Sequence, residues 1–292
     1  MLFGNGSHRY EVEENWLQLT DEWNWGWIPA VACDSKDNVY IYSRSDRPLV
    51  IYDQQGKMLD TWGDGVLDSP GSHGIFIDQE DNVYCSTIGQ HCVFKFNSQG
   101  ELVLTLGTPG QTGANDGDPF NSVTDVAVAP NSDIFVSDGY GNARVHRYSA
   151  GGDHLLSWGE YGDGPGQFNI SHCVRIDSQD RVWVCDRENN RLQIFDMEGN
   201  YLDQWTGLLQ PNTVFFDSEE DVVYIAELAG QLSIYTLDGE LVAKWGGGKS
   251  SQVAGEFIGG PHGMWVDSHG DLYLGEVMLG EHHRAQKYIR QR

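Results

Sequence analysis

The chain of 292 residues carries 18 Lys and Arg against 43 Asp and Glu, a formal net charge of -25 at pH 7. Such an acid excess repels phosphate backbones, so nucleic acid is excluded as an expected partner. No apolar run reaches the length of a bilayer span, and the opening MLFGNGSHRYEVEENW lacks a basic segment followed by an apolar one, so neither a membrane span nor an export signal is expected.

In chain order, the elements form six copies of one unit. The opening HRYEVEENWLQL alternates as a strand does. Six segments follow, beginning at VACDSKDNVYIY, GIFIDQEDNVYCS, DVAVAPNSDIFVSD, CVRIDSQDRVWVCD, TVFFDSEEDVVYIAE and GMWVDSHGDLYLGE. Each opens with a short apolar run ending at Asp34, Asp78, Pro130, Asp177, Asp217 or Asp267, then a polar turn and a second strand. A third strand, a Gly-containing turn and a fourth strand complete the first five copies. Four antiparallel strands recurring about every 40 to 50 residues define propeller blades. Helical periodicity is absent. The expected fold class is all-β, a single six-bladed β-propeller domain over residues 1–292. The sixth copy stops after RAQKYIR, so the N-terminal segment is expected to supply its outer strand and leave no open edge. The five cysteines (Cys33, Cys85, Cys92, Cys173, Cys185) form no CxxC and fall mostly in strands. They read as reduced core thiols, which fits a cytoplasmic protein.

Two registers across the copies carry chemistry. Five residues before the reference position stand Pro29, His73, Asp125, His172, Asn212 and His262. The first strand of a propeller blade lines the central channel, so this slot lies at one mouth. Histidine occupies copies two, four and six, which are related by approximate threefold symmetry. Three neutral imidazoles converging there would hold Zn²⁺ or a similar divalent ion, with positions left open for water or substrate. Ten residues after the reference position stand Arg44, Ile88, Tyr140, Arg187, Glu227 and Val277. The second strand runs antiparallel to the first, so its loop returns to the same mouth. An arginine there offers a fork for a substrate carboxylate. A tyrosine beside a cation and guanidinium groups can act as a phenolate base.

These segments resemble NHL repeats, and the constellation resembles the peptidyl-α-hydroxyglycine α-amidating lyases, zinc propellers that make peptide amides. The motifs that carry the resemblance are FVSDGYGNARV around Tyr140, GPGQFNISH ending at His172 and WVCDRENNRLQIF around Arg187. YIYSR around Arg44, SHGIFID around His73 and GPHGMWVD around His262 agree less closely. The resemblance spans nearly the whole chain in the same order. It implies that His73, His172 and His262 are zinc ligands, that Tyr140 is the catalytic base, and that Arg44 and Arg187 surround the carboxylate and the tyrosine. It implies a C–N cleavage that leaves an amide and glyoxylate.

Two positions depart from the family. Gly263 stands where the family has an acidic calcium ligand directly after the third histidine, and Gly260 stands where a methionine lies near the substrate. The first argues against calcium at the family's position, although backbone carbonyls of Val31 and Ile75 could still contribute to some ion. The second implies a wider pocket. The expected function is therefore a zinc-dependent lyase acting on a small-molecule or short-peptide substrate with a carboxylate, of the hemiaminal or 2-hydroxy-acid type. The alternatives are a non-catalytic propeller that binds a protein partner, a lyase or hydrolase with another 2-hydroxy acid, and a calcium-dependent lactonase. A lactonase would want carboxylate and amide oxygens where this chain offers imidazole.

Overall fold

The computed structural model describes residues 1–113, 120–247, 249–278, 280 and 283–292. Its repeated aspartates are turn-makers. Asp34 Oδ1 accepts the N–H groups of Lys36 and Asn38 at 2.9 and 2.8 Å. Asp78, Asp177 and Asp267 bind the N–H groups two and four residues on in the same way. A short acidic side chain that bonds its own backbone in this way fixes a tight reversal. The left-handed residue that the reversal needs is Asp37, Asp81 or Asp180, at φ 60, 59 and 58, a conformation that aspartate tolerates better than most residues.

These turns join strands into the six blades of an all-β propeller. Blade 1 comprises Ala30–Cys33, Val39–Tyr42, Leu49–Tyr52 and Met58–Trp62, and blade 2 Ser72–Ile77, Val83–Thr87, Cys92–Phe96 and Leu102–Leu106. Blade 3 holds Asp125–Val128, Ile134–Asp138, Arg144–Tyr148 and His154–Trp158. Blade 4 holds Ser171–Ile176, Val182–Asp186, Arg191–Phe195 and Tyr201–Thr206. Blade 5 comprises Pro211–Asp217, Val222–Glu227, Gln231–Thr236 and Leu241–Gly246. The first three strands of blade 1 are buried throughout, whereas Met58–Trp62 is exposed or half-buried. This gradient explains why the inner strands read as continuous apolar runs. Among the described residues the only helical element is the 3₁₀ turn Arg187–Asn189, and no helix is long and apolar enough to cross a membrane. All five cysteines are buried and free.

The chain divides into two compact units of three blades each. One comprises residues 70–211 and the other residues 1–69 with 212–292. In the second unit the sixth blade is built from both ends of the chain, as the truncated last repeat requires. Gly260–Val266, Leu272–Val277 and Ala285–Gln291 are followed by His8–Glu13, which pairs antiparallel with Ala285–Gln291. A fifth strand, Leu2–Asn5, extends the sheet beyond what the sequence led us to expect. Phe3 and Tyr10 enter a buried cluster with Trp245 and Tyr288. The Tyr10 hydroxyl lies 2.7 Å from that of Tyr224 and accepts from Arg290 Nη1 at 2.8 Å. Removing residues 1–19 strips two buried aromatics from this cluster and bares an edge. The melting temperature is expected to fall by about 10 °C or more in a thermal scan; an unchanged value would contradict this pairing.

Blade 3 corrects one register. In blades 1, 2, 4 and 6 the reference residue is the one whose N–H donates to the carbonyl four residues on, as Asp177 N does to Arg181 O at 3.0 Å. In blade 3 that donor is Ala129, bonding Asp133 O at 2.9 Å. Pro130 has no N–H and cannot serve. The histidine slot of blade 3 therefore falls on Thr124, not Asp125. By the same shift Gly139, not Tyr140, is the equivalent of Arg187, and Tyr140 stands one residue further along its loop.

Candidate metal centre

In the unit of residues 70–211, His73 lies on the first strand of blade 2 and His172 on the first strand of blade 4, both buried. His73 Nδ1 stands 2.6 Å from Thr124 O. A carbonyl can only accept, so Nδ1 carries the proton and Nε2 the lone pair, the tautomer suited to ligation. Thr124 is itself held, its Oγ1 donating to Ser171 O at 2.8 Å, and Ser86 Oγ also donates to its carbonyl at 2.9 Å. Thr124 thus orients His73 from the corrected blade 3 slot. The Pro130 misalignment is what hid it in the sequence.

Tyr140 brings the parts together. Its hydroxyl lies 3.1 Å from His73 Nε2 and 3.3 Å from His172 Nε2, and it accepts from Arg187 Nη1 at 3.2 Å. A single O–H proton can satisfy only one of the two imidazole nitrogens. The Arg187 guanidinium carbon sits 5.4 Å from the centre of the Tyr140 ring, and its Nε donates to Glu188 Oε1 at 2.8 Å. Tyr140 is 38% exposed, so the hydroxyl group belongs to a wet rim over two buried histidines. Gly139 puts it there: a Cβ on that residue would lie 2.0 Å from Ser171 O, so only glycine lets the loop pass so close.

Asp125 has a structural task. Arg175 Nη1 donates to its Oδ2 at 2.5 Å and to the carbonyls of Val126 and Val174, and both side chains are buried. Burial pushes the Asp125 carboxyl well up, and Arg175 beside it opposes that shift. The pair is read as ionic, because Arg175 also bonds two carbonyls and is itself held protonated by Asp125. Asp125→Ala would leave a buried guanidinium uncompensated, a loss expected to cost about 3–5 kcal/mol in denaturant unfolding. A cost below about 1 kcal/mol would show that the pair is not what holds these strands.

The other unit carries His262, Arg44 and the remaining slots. His262 Nδ1 donates to Pro29 O at 2.7 Å, and Asn212 Nδ2 donates to Pro261 O at 2.9 Å, so the slots of blades 1 and 5 hold His262 and its neighbour. The nitrogens offered by His73, His172 and His262 all lie within 4.8 Å of one another, and this buried triad could hold a metal ion. Arg44 lies with its guanidinium carbon 5.4 Å from the Trp27 ring centre, and its N–H donates to Trp27 O at 2.8 Å. The sequence reading did not include Trp27, although the run WNWGW was a visible signal. A Cβ on Gly263 would lie 2.4 Å from Pro29 O and 2.5 Å from Ala30 Cα. No carboxylate can stand at that position without moving backbone, which removes the family's calcium ligand on steric grounds.

The fold and this repeat define a class. The NHL repeat model matches residues 168–195, the stretch that includes His172 and Arg187. The chain is 34% identical to human NHL repeat-containing protein 3 over 96% of its own length and 84% of that protein. It therefore belongs to the NHL repeat-containing family. It is also 31% identical to the Drosophila melanogaster peptidyl-alpha-hydroxyglycine alpha-amidating lyase 1, over 72% of this chain and 44% of that protein. Among solved structures, a gluconolactonase from Xanthomonas campestris superposes with a TM-score of 0.66 over 92% of this chain and 87% of that one. At 13% identity that likeness shows the fold alone.

Proposed function

We propose that this protein is a metal-dependent lyase, with zinc the expected ion, that cleaves the C–N bond of an N-acyl-α-hydroxyglycine or a related hemiaminal-type 2-hydroxy acid. The observation that carries this reading is the Tyr140 hydroxyl set between His73 Nε2, His172 Nε2 and Arg187 Nη1. The similarity to the fly lyase supports it. His73, His172 and His262 would hold the ion. When bound, it would supply Lewis acidity to the substrate's hydroxyl and carboxylate oxygens.

Tyr140, as phenolate, takes the proton of the substrate hydroxyl. The O–H electron pair becomes the C=O of glyoxylate, the C–N pair leaves with nitrogen, and the amide nitrogen takes up a proton that Tyr140 can return. No water enters the balance. Arg187, and Arg44 in the other unit, pair with the carboxylate and fix which face of the carbon meets the base. Both histidine tautomers seen here, with Nδ1–H on a carbonyl, keep the imidazoles from competing for the substrate's proton.

A non-catalytic propeller has one observation in its favour: the human relative that spans most of this chain is named for its repeat and for no reaction. The test is glyoxylate release from benzoyl-α-hydroxyglycine by zinc-loaded protein, with benzamide formed in equal amount. No release from this or other N-acyl-α-hydroxyglycines would leave the scaffold reading in place.

A further inference from the structure

We propose that the cavity beside Gly260 is a subsite for an apolar acyl group on the amide side of the substrate, an inference that rests on the lyase reading above. The cavity has a volume of about 240 Å³ and is walled by Leu228, Phe257, Ile258, Gly260 and Met278, with Lys249 at its rim. Its position follows from one strand. Gly260 and His262 both lie on Gly260–Val266, two residues apart, about 7 Å along the chain. Met278 and Leu228 directly follow the second strands of blades 6 and 5. That is the end of the blade from which Arg44 also projects. The cavity and His262 therefore share one mouth within this unit.

The missing side chain at position 260 makes the space. A Cβ there would lie 2.4 Å from Leu228 Cδ1 and 2.9 Å from Leu228 O, so even a methyl group would intrude on the wall. The walls are held rather than loose. Glu276 Oε2 accepts the N–H groups of Ile258 and Gly259 at 2.9 and 3.2 Å, and Gln286 Nε2 donates to its other oxygen at 3.0 Å. Before Leu228, Glu227 accepts from Ser233 Oγ and Gln231 Nε2. A preformed apolar cavity costs little ordering when it is filled. A dry cavity of about 150 Å³ already takes up benzene, so this one has room for a phenyl ring or a short acyl chain. The carboxylate of the substrate is claimed by the arginines, so the apolar end that remains to be placed is the acyl group. Each methylene buried there is worth a factor of about four in affinity.

The experiment measures binding of acetylglycine, hexanoylglycine and benzoylglycine by calorimetry, and glyoxylate release from the matching α-hydroxyglycines. Hexanoylglycine and benzoylglycine are expected to bind about tenfold or more tightly than acetylglycine. Ile258→Trp, which fills the cavity, should bring the three affinities together. Met278→Glu, a change at an exposed rim position, should weaken the hexanoyl compound selectively, and it guards against a folding defect in the first variant. Equal affinities in the unmodified protein, no binding of any of the three, or a preference that survives both substitutions would overturn the subsite. If the affinities discriminate but no glyoxylate appears, the lyase reading fails and the cavity stands. Glyoxylate released equally well from all three acyl compounds would do the reverse.

Discussion

Tyr140→Phe is expected to lower glyoxylate release by about a hundred-fold to ten-thousand-fold, the usual effect of removing a positioned general base. The substitution deletes one oxygen and leaves the ring, whose edge-on contacts with His73 and His172 have centroid distances of 5.2 and 5.8 Å. The side chain is partly exposed, so stability should change little. Metal content should be retained, since neither histidine loses its backbone support. Arg187→Ala differs, because the guanidinium donates to the Tyr140 hydroxyl and would also meet the carboxylate. It should raise KM and lower kcat together, whereas the Phe variant should lower kcat with KM nearly unchanged. Full turnover in the Phe variant would remove Tyr140 from the chemistry and leave only the histidines.

Much of this site was legible because its parts repeat. The histidines sit at a fixed distance from an aspartate whose side chain makes a turn, and a turn-maker cannot drift in register without breaking the turn. Asp78, Asp177 and Asp267 therefore measured out the positions of His73, His172 and His262 reliably. Where the turn-maker is absent the ruler failed. In APNSD the proline invited alignment at Pro130, while the backbone N–H that closes the turn belongs to Ala129. That one-residue slip put Asp125 in the histidine slot and hid Thr124, the acceptor that fixes His73. Tyr140 was still found, because its neighbours SDGYGN carried the resemblance independently of register. Contacts between neighbouring blades left no trace within a single repeat. The crowding of Gly263 against Pro29 and Ala30 is one case, and the pairing of Arg175 with Asp125 is another. The N-terminal strand was expected from the unfinished last repeat. Leu2–Asn5 beyond it was not, since no repeat calls for a fifth strand.

The triple replacement of His73, His172 and His262 by Ala is expected to lower metal content from about one ion per chain to near zero in protein purified without added metal. Each single replacement should already reduce it greatly, because two imidazoles rarely hold zinc without a third protein ligand. The propeller itself should survive. After His73→Ala the carbonyl of Thr124 keeps the hydroxyl of Ser86 as donor, so it is not orphaned in the core. Elemental analysis gives the stoichiometry, and a second readout separates metal loss from misfolding. A ligand present at a hundred times its dissociation constant stabilises the folded state by about 2.7 kcal/mol. Adding zinc should therefore raise the melting temperature of the unmodified protein and leave that of the triple variant where it was. The comparison works even if the variant is somewhat less stable to begin with, because it reads the response to metal and not the absolute value. Unchanged stoichiometry in the triple variant, with the zinc response intact, would mean that these imidazoles hold no metal and that any ion present is bound by other residues.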